Sequence, residues 1–221
     1  MSLSDVSILY EDEHLLAVNK PPFLPVHVTL DPARPHLQGI LEKKLGQTLT
    51  LFHRLDVDTT GVVLLGKSEA IKKPMSEVFL GREIKKTYSV VVVGRWLESW
   101  KEVRSFIKKT RGHWANFTKG RPTERAVTHF RVLHSGASRS WVEAQLETGK
   151  THQIRLHCLE MGHPVMGDRV YGKADPSGVP IALHARCVEF KHPLTGAKLK
   201  IEAPFPSYWR EKWLDPGWKL P

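Results

Sequence analysis

Phe52-His53-Arg54-Leu55-Asp56-Val57-Asp58-Thr59-Thr60-Gly61-Val62-Val63-Leu64-Leu65-Gly66-Lys67 sets a polar turn against an apolar strand. Asp56, Asp58, Thr59 and Thr60 have short side chains that bond nearby backbone, which favours a turn. Gly61 then opens the apolar run Val62 to Leu65, of the kind that forms a buried strand. An aspartate held between Arg54 and such a strand stands where reactive groups often stand, on a loop positioned by a rigid scaffold. The bland alternative is a turn aspartate that bonds only its own backbone.

Alternation and turn residues extend the pattern in both directions. Ile8-Leu9-Tyr10, an acidic turn and His14 to Asn19 predict a hairpin closed by Lys20-Pro21-Pro22. Lys85 to Val93 is rich in β-branched residues, carries Tyr88 in its first half and ends at Gly94. Ala126, Thr128, Phe130 and Val132 alternate with polar neighbours, a turn spans His134 to Arg139, and Val142, Ala144 and Leu146 alternate again. These predict half-buried antiparallel strands. Ala185 to Phe190, the turn at His192 to Gly196 and the Leu199, Ile201, Ala203 alternation predict another hairpin. Two helices are expected. One runs from about Ser68 to Leu80, with Ile71, Met75, Val78 and Phe79 on one face and a late start or a kink at Pro74. The other runs from about Thr151 to Met161 and stops at Gly162.

The 221 residues carry a formal net charge of +10 and are 41% hydrophobic, which fits a globular protein whose surface attracts polyanions. The excess is concentrated. Lys101, Arg104, Lys108, Lys109, Arg111, Lys119, Arg121 and Arg125 face only Glu102 and Glu124 within a ninth of the chain. Trp100, Phe106, Trp114 and Phe117 are interleaved with these cations, the mixture that looped RNA favours: charge for phosphates and rings for stacking. A solvated surface loop is the alternative. Cys158 and Cys187 lie in apolar-periodic segments and are expected as small buried hydrophobes in a reducing compartment. The acidic residues among the first nineteen exclude a signal-peptide pattern, and no apolar run is long enough for a membrane span, so a cytoplasmic protein is expected. His152, His157 and His163 with Cys158 lack the spacing of known zinc motifs, and there is no glycine-rich phosphate loop. Neither metal nor cofactor is expected.

The run from Phe52 to Lys67 resembles the His-Arg-Leu-Asp signature of the RluA-type RNA pseudouridine synthases, with Thr60 where Ser is usual. Asn19-Lys20-Pro21 with Val26-His27 resembles that family's opening motif, with Phe23 where Gly is usual. Lys86 to Gly94 is similar to the strand bearing its active-site tyrosine. Thr148-Gly149-Lys150-Thr151-His152-Gln153-Ile154-Arg155 is similar to its Thr-Gly-Arg-Thr-His-Gln-Ile-Arg segment, and Leu183-His184-Ala185 matches its Leu-His-Ala. Together these cover nearly all of the chain.

The resemblance implies an α+β protein with the pseudouridine synthase fold: a mixed, mostly antiparallel central sheet with flanking helices and loops and an active-site cleft. It implies a single catalytic domain over residues 1–221, with a basic, loop-rich RNA-contact segment at about 100–125. A strand starting near Ile8 leaves no room for a separate N-terminal RNA-binding domain. The implied activity is isomerisation of uridines to pseudouridine in ribosomal or transfer RNA, by a monomer with no membrane and no obligate protein partner. The resemblance makes Asp56 the catalytic aspartate, Arg155 the cation that keeps it ionised, and Tyr88 a stacking and proton-relay group. Arg54 is expected to fill the space of a uridine turned out of its stack, Leu183 to wall the pocket, and Lys108, Lys109 and Arg111 to hold phosphates. The competing expectations are a non-catalytic RNA-binding module with the same fold, and a carboxylate hydrolase using Asp56 and Asp58.

Overall fold

The computed structural model describes residues 6–110, 114–175 and 177–220. Arg111 lies outside the described residues. The chain packs as two compact units, one formed by Met1–Lys85 with Ala185–Phe205 and the other by Lys86–His184 with Pro206–Pro221.

In the first unit β1 (Ser7–Glu11) pairs antiparallel with β2 (Leu15–Lys20), and β2 with β4 (Thr60–Gly66). The short β3 (Thr50–Leu51) also pairs with β4, and β10 (Leu183–Lys191) runs antiparallel to β11 (Lys198–Glu202). Every residue of β4 is buried, as its continuous apolar run requires. Leu15 and Ala17 of β2 join Val62 and Leu64 of β4 in one core, with Val188 and Phe190 of β10. Helix α2 (Glu69–Leu80) adds Ile71, Met75 and Val78 to that core at i, i+4 and i+7 spacing. Leu16, Val18, Val63 and Leu65 project from the opposite face and are fully buried too. Burying each of these side chains contributes on the order of 1.5–3 kcal/mol. The helix starts at Glu69 and continues through Pro74, so the proline does not delay it: the tertiary burial of its apolar face outweighs the lost backbone bond.

Gly61 adopts φ 112°, and a Cβ there would lie 2.2 Å from the carbonyl oxygen of Ala185 in β10. Only glycine allows the strand after the Asp56 turn to approach β10 so closely. Phe23 also has a positive φ, 62°, the left-handed region that favours glycine. The loop therefore keeps the path of a glycine at the position where Phe departs from the family pattern.

In the second unit the strand order is β5 (Lys85–Val93), β9 (Arg139–Leu146), β8 (Arg125–Ser135), β6 (Trp100–Lys109) and β7 (Trp114–Phe117). Each neighbouring pair is antiparallel. The basic stretch expected to be loop-rich is thus largely a hairpin, β6 and β7. Val103, Ser105 and Ile107 alternate inward between the less buried Glu102, Arg104, Phe106 and Lys108 and anchor it. Helix α3 (Gln153–Glu160) covers the face of this sheet that carries Thr128 and Ser105: His157 bonds both hydroxyls at 2.9 Å. Two helices fall outside the periodic segments of the sequence, α1 (Leu37–Leu45), with only Leu37 and Leu41 buried, and α4 (Tyr208–Trp213), with Trp209 and Trp213 buried. Cys158 and Cys187 are free and buried. Burial raises both thiols, that of Cys187 to about 11.

Candidate active site

In the first unit, Asp56 opens a turn closed by the Thr59 N–H donating to its carbonyl oxygen at 3.1 Å. Lys20, fully buried at the end of β2, reaches this turn from beneath. Its Nζ donates to the carbonyl oxygens of Val57, Leu24 and Pro21, each at 2.9 Å. Burial pushes the Lys20 pKa down to about 7, opposed by the charges of Asp56 and Asp58. An ammonium has three donors, and three carbonyls meet them, so the site is shaped for the charged form. The Lys of the Asn19-Lys20-Pro21 motif therefore ties the opening loop to the aspartate turn and places a positive charge below it.

The neighbours of Asp56 are fixed in different ways. The His53 ring accepts from the Leu64 N–H at 2.9 Å and stacks on Phe79 with centroids 5.4 Å apart, so it is a structural fastener. Arg54 is exposed, and its guanidinium donates to His27 Nε2 at 3.0 Å. Burial, then the charges of Arg54 and His36, lower the His27 pKa. That keeps the ring neutral and able to accept. The Val26-His27 motif thus aims the exposed Arg54.

The second unit holds the other expected residues. Tyr88 is buried in β5, opposite Ala144 and on the sheet face that α3 covers. Leu183 is buried at the start of β10, next to Ala182, which accepts from the Val91 N–H at 3.0 Å. Arg155 is buried on α3 and pairs bidentately with Asp168, Nε to Oδ2 at 2.8 Å and an Nη to Oδ1 at 2.7 Å. Its guanidinium also lies 5.1 Å over the Tyr171 ring. Asp168 Oδ1 accepts in addition from the Val170 and Tyr171 N–H groups at 2.8 and 3.0 Å. Burial works to raise the Asp168 pKa, but Arg155 and these two amides outweigh it and hold it below the usual carboxylate range.

Asp168 is a residue that sequence patterns did not expose. A signal was present in Gly167-Asp168-Arg169-Val170-Tyr171-Gly172, a polar turn between two glycines, but nothing in it names Arg155 as the partner thirteen residues earlier. The Thr148 to Arg155 segment has a clear physical basis. Gln153 Oε1 accepts from the Thr148 hydroxyl at 2.7 Å and the Lys150 N–H at 3.0 Å, while its Nε2 donates to the Val127 carbonyl and Thr128 hydroxyl at 2.9 Å. The Gln153 amide thereby docks the start of α3 on β8 and sets the position of Arg155 two residues on.

The basic hairpin divides its cations between two faces. Lys108 pairs across from Ala115, sits 5.0 Å over the Phe117 ring and lies 3.6 Å from Glu124. Lys109 pairs across from Trp114 and projects, exposed, from the opposite face. Trp100 is exposed and stacks on His129, with centroids 5.8 Å apart. His152, His157 and His163 bond separate groups, Tyr171, Ser105 with Thr128, and the Val93 carbonyl. Glu102, His129 and Glu147 do converge, with ligand atoms within 4.8 Å of one another. Glu102 is also paired with Arg104, and His129 Nε2 with Glu147 at 2.8 Å.

Residues 14–160 match the family model of RNA pseudouridylate synthases. The chain is 34% identical to the "Uncharacterized RNA pseudouridine synthase YhcT" of Bacillus subtilis (strain 168), over 92% of its own length and 70% of that protein's. It is also 34% identical to "Ribosomal large subunit pseudouridine synthase D" of Nitrosomonas europaea, over 91% of this chain and 62% of that one. Among solved structures, "Human RNA Pseudouridylate Synthase Domain Containing 1" superimposes with a TM-score of 0.75 at 26% identity, covering 93% of this chain and 86% of that chain. "Human RNA Pseudouridylate Synthase Domain Containing 4" gives a TM-score of 0.73 at 27% identity, covering 92% and 90%. Five sequence motifs, the fold and these similarities agree: the chain belongs to the RNA pseudouridylate synthase family and is an RNA pseudouridine synthase.

Proposed function

We propose that this synthase isomerises specific uridines in folded ribosomal or transfer RNA, with Asp56 as the catalytic aspartate. The observation that carries this reading is the Asp56 turn itself, built on a buried lysine and on a glycine that admits no side chain. In the reaction the bond from C1′ of ribose to N1 of uracil breaks and a bond from C1′ to C5 forms. The proton on C5 leaves and N1 gains one, so no external atom is incorporated. A carboxylate assists by attacking the sugar or the base, or by taking a ribose proton. Lys20 holds the carboxylate-bearing turn in shape, and Arg155, locked by Asp168, supplies a guanidinium that favours the ionised carboxylate once RNA excludes water. Arg54 takes the stacking place of the turned-out uridine, and Leu183 gives the base an apolar wall. The reaction needs no cofactor. No helix among the described residues is long and apolar enough to cross a membrane; a cytoplasmic monomer acting on RNA alone fits this chemistry. Mapping pseudouridines in a strain lacking the gene against its parent tests the proposal. A site lost in the deletion and restored by the wild-type chain, but not by Asp56→Asn, is the expected result.

Tyr88 separates stacking from proton transfer. Tyr88→Phe keeps the ring and is expected to bind RNA nearly as well as wild type while turning over far more slowly. Tyr88→Leu should lose affinity as well, since a stacked base contributes about 1–3 kcal/mol. Single-turnover rates and RNA affinities of both variants check this. A wild-type rate for Tyr88→Phe would reduce Tyr88 to packing in a strand that ends in four valines.

The hairpin cations are expected to be unequal. Lys109→Ala should weaken RNA binding and lower the log–log salt slope by about 0.7, the loss of one phosphate contact on a single strand. Lys108→Ala should change the slope less, because Glu124 already faces that charge. Equal slope changes in the two variants, measured by filter binding across salt, would mean that both faces of the hairpin touch RNA.

A further inference from the structure

Between β7 and α3 in the second unit lies a cleft of about 360 Å³ that none of the roles above uses. Trp114 and Tyr171 supply rings, Leu156 and Leu159 an apolar floor, and Asn116 and Glu160 the polar rim. A volume of this size suits a small planar ligand. The Asn116 amide is committed on both sides: its oxygen accepts from Ser105 at 3.1 Å, and its nitrogen donates to the Leu156 carbonyl at 3.0 Å and to Glu160 Oε2 at 2.8 Å. Asn116 therefore orients Glu160 and has little left for a ligand. Glu160 lines the cleft with its Oε2 held by Asn116, and burial raises its pKa. Lys109 projects from the same sheet face as Trp114, directly across the strand pair, where it can meet a phosphate.

We propose that this cleft binds an unpaired guanine of the RNA substrate, stacked against Trp114 and Tyr171 and read by the Glu160 carboxylate. The proposal rests on the chain acting on RNA, as argued above. Guanine alone presents two adjacent donors, N1–H and N2–H, which a carboxylate accepts together. Adenine and cytosine offer one amino group beside an acceptor nitrogen, and uracil one N–H between two carbonyls. Each of these sets a lone pair against the carboxylate. Tyr171 links the cleft to the reaction chemistry, because its hydroxyl bonds His152 at 2.8 Å and its ring lies under Arg155. A base seated there would steady the residue on which Arg155 rests.

The test titrates the oligoribonucleotides UUGUU, UUAUU, UUCUU and UUUUU into the purified full chain. Affinity is measured together with the NMR signal of the Trp114 indole N–H, assigned with Trp114→Phe. UUGUU is expected to bind roughly tenfold more tightly than UUUUU, as a two-bond base contact allows, and to shift the Trp114 signal. Glu160→Gln keeps an acceptor for Asn116 but loses the paired acceptors. It should abolish the preference, leave UUUUU affinity unchanged and leave the melting midpoint near wild type. Equal affinities for all four pentamers, or a preference for guanine that survives in Glu160→Gln, would overturn the proposal. Pseudouridine formation in RNA from the deletion strain is scored separately. Isomerisation without guanine discrimination sinks the cleft assignment alone, whereas absent isomerisation sinks the functional reading whatever the pentamers do.

Discussion

Asp56→Asn is expected to abolish uridine isomerisation, by on the order of 10⁴ or more in rate, while RNA affinity stays within a few-fold of wild type. The substitution keeps the size of the side chain and removes its charge together with its capacity as nucleophile or base. The turn should survive, because its shape comes from the Thr59 N–H bond to the Asp56 carbonyl and from Lys20 binding the Val57 carbonyl, neither of which uses the carboxylate. Circular dichroism and the unfolding midpoint should therefore match wild type. Retention of a near wild-type rate would move the chemistry away from Asp56.

Asp168→Asn is expected to damage both stability and turnover. The wild-type carboxylate accepts two bonds from Arg155 and two from backbone amides, all within the protein interior. An asparagine retains one acceptor oxygen and leaves the buried guanidinium uncompensated, which typically costs about 3–5 kcal/mol. Denaturant unfolding measures the loss. The pH dependence has a definite sign. The Asp168 pKa is held below its unfolded value, so its stabilisation is present above that value and is lost as pH falls through the lower, folded one. Wild type should thus lose stability in acid more steeply than Asp168→Asn. Turnover should fall further than RNA affinity, because Asp168 acts by holding Arg155 rather than by touching RNA. Identical acid profiles for the two proteins would remove the pair from both roles.

Much of the fold was legible because burial leaves a periodic trace. The run Val62 to Leu65, the alternation in β8 and β9 and the face of α2 each follow from which side of an element meets the core. The hairpin β6–β7 was obscured, since Val103, Ser105 and Ile107 alternate within a stretch whose charge density resembles a loop. Helix α1 left little signal because it buries only Leu37 and Leu41.

The candidate site divides along the same line. Short-range requirements are written in the chain itself: the polar turn at Asp56 and the Thr148 to Gln153 spacing, whose groups bond partners a few residues away. The sequence by itself therefore determined the family, the aspartate turn and the start of α3. The partners were decided only in three dimensions. Lys20 finds Val57, His27 finds Arg54, Arg155 finds Asp168, and Glu160 is oriented by Asn116 at the mouth of a cleft. Sequence periodicity records which side of an element is buried, but not which distant segment lies against it. Buried charges acquire their function from that second choice, because a charge desolvated by folding is stable only beside the partner that folding brings to it.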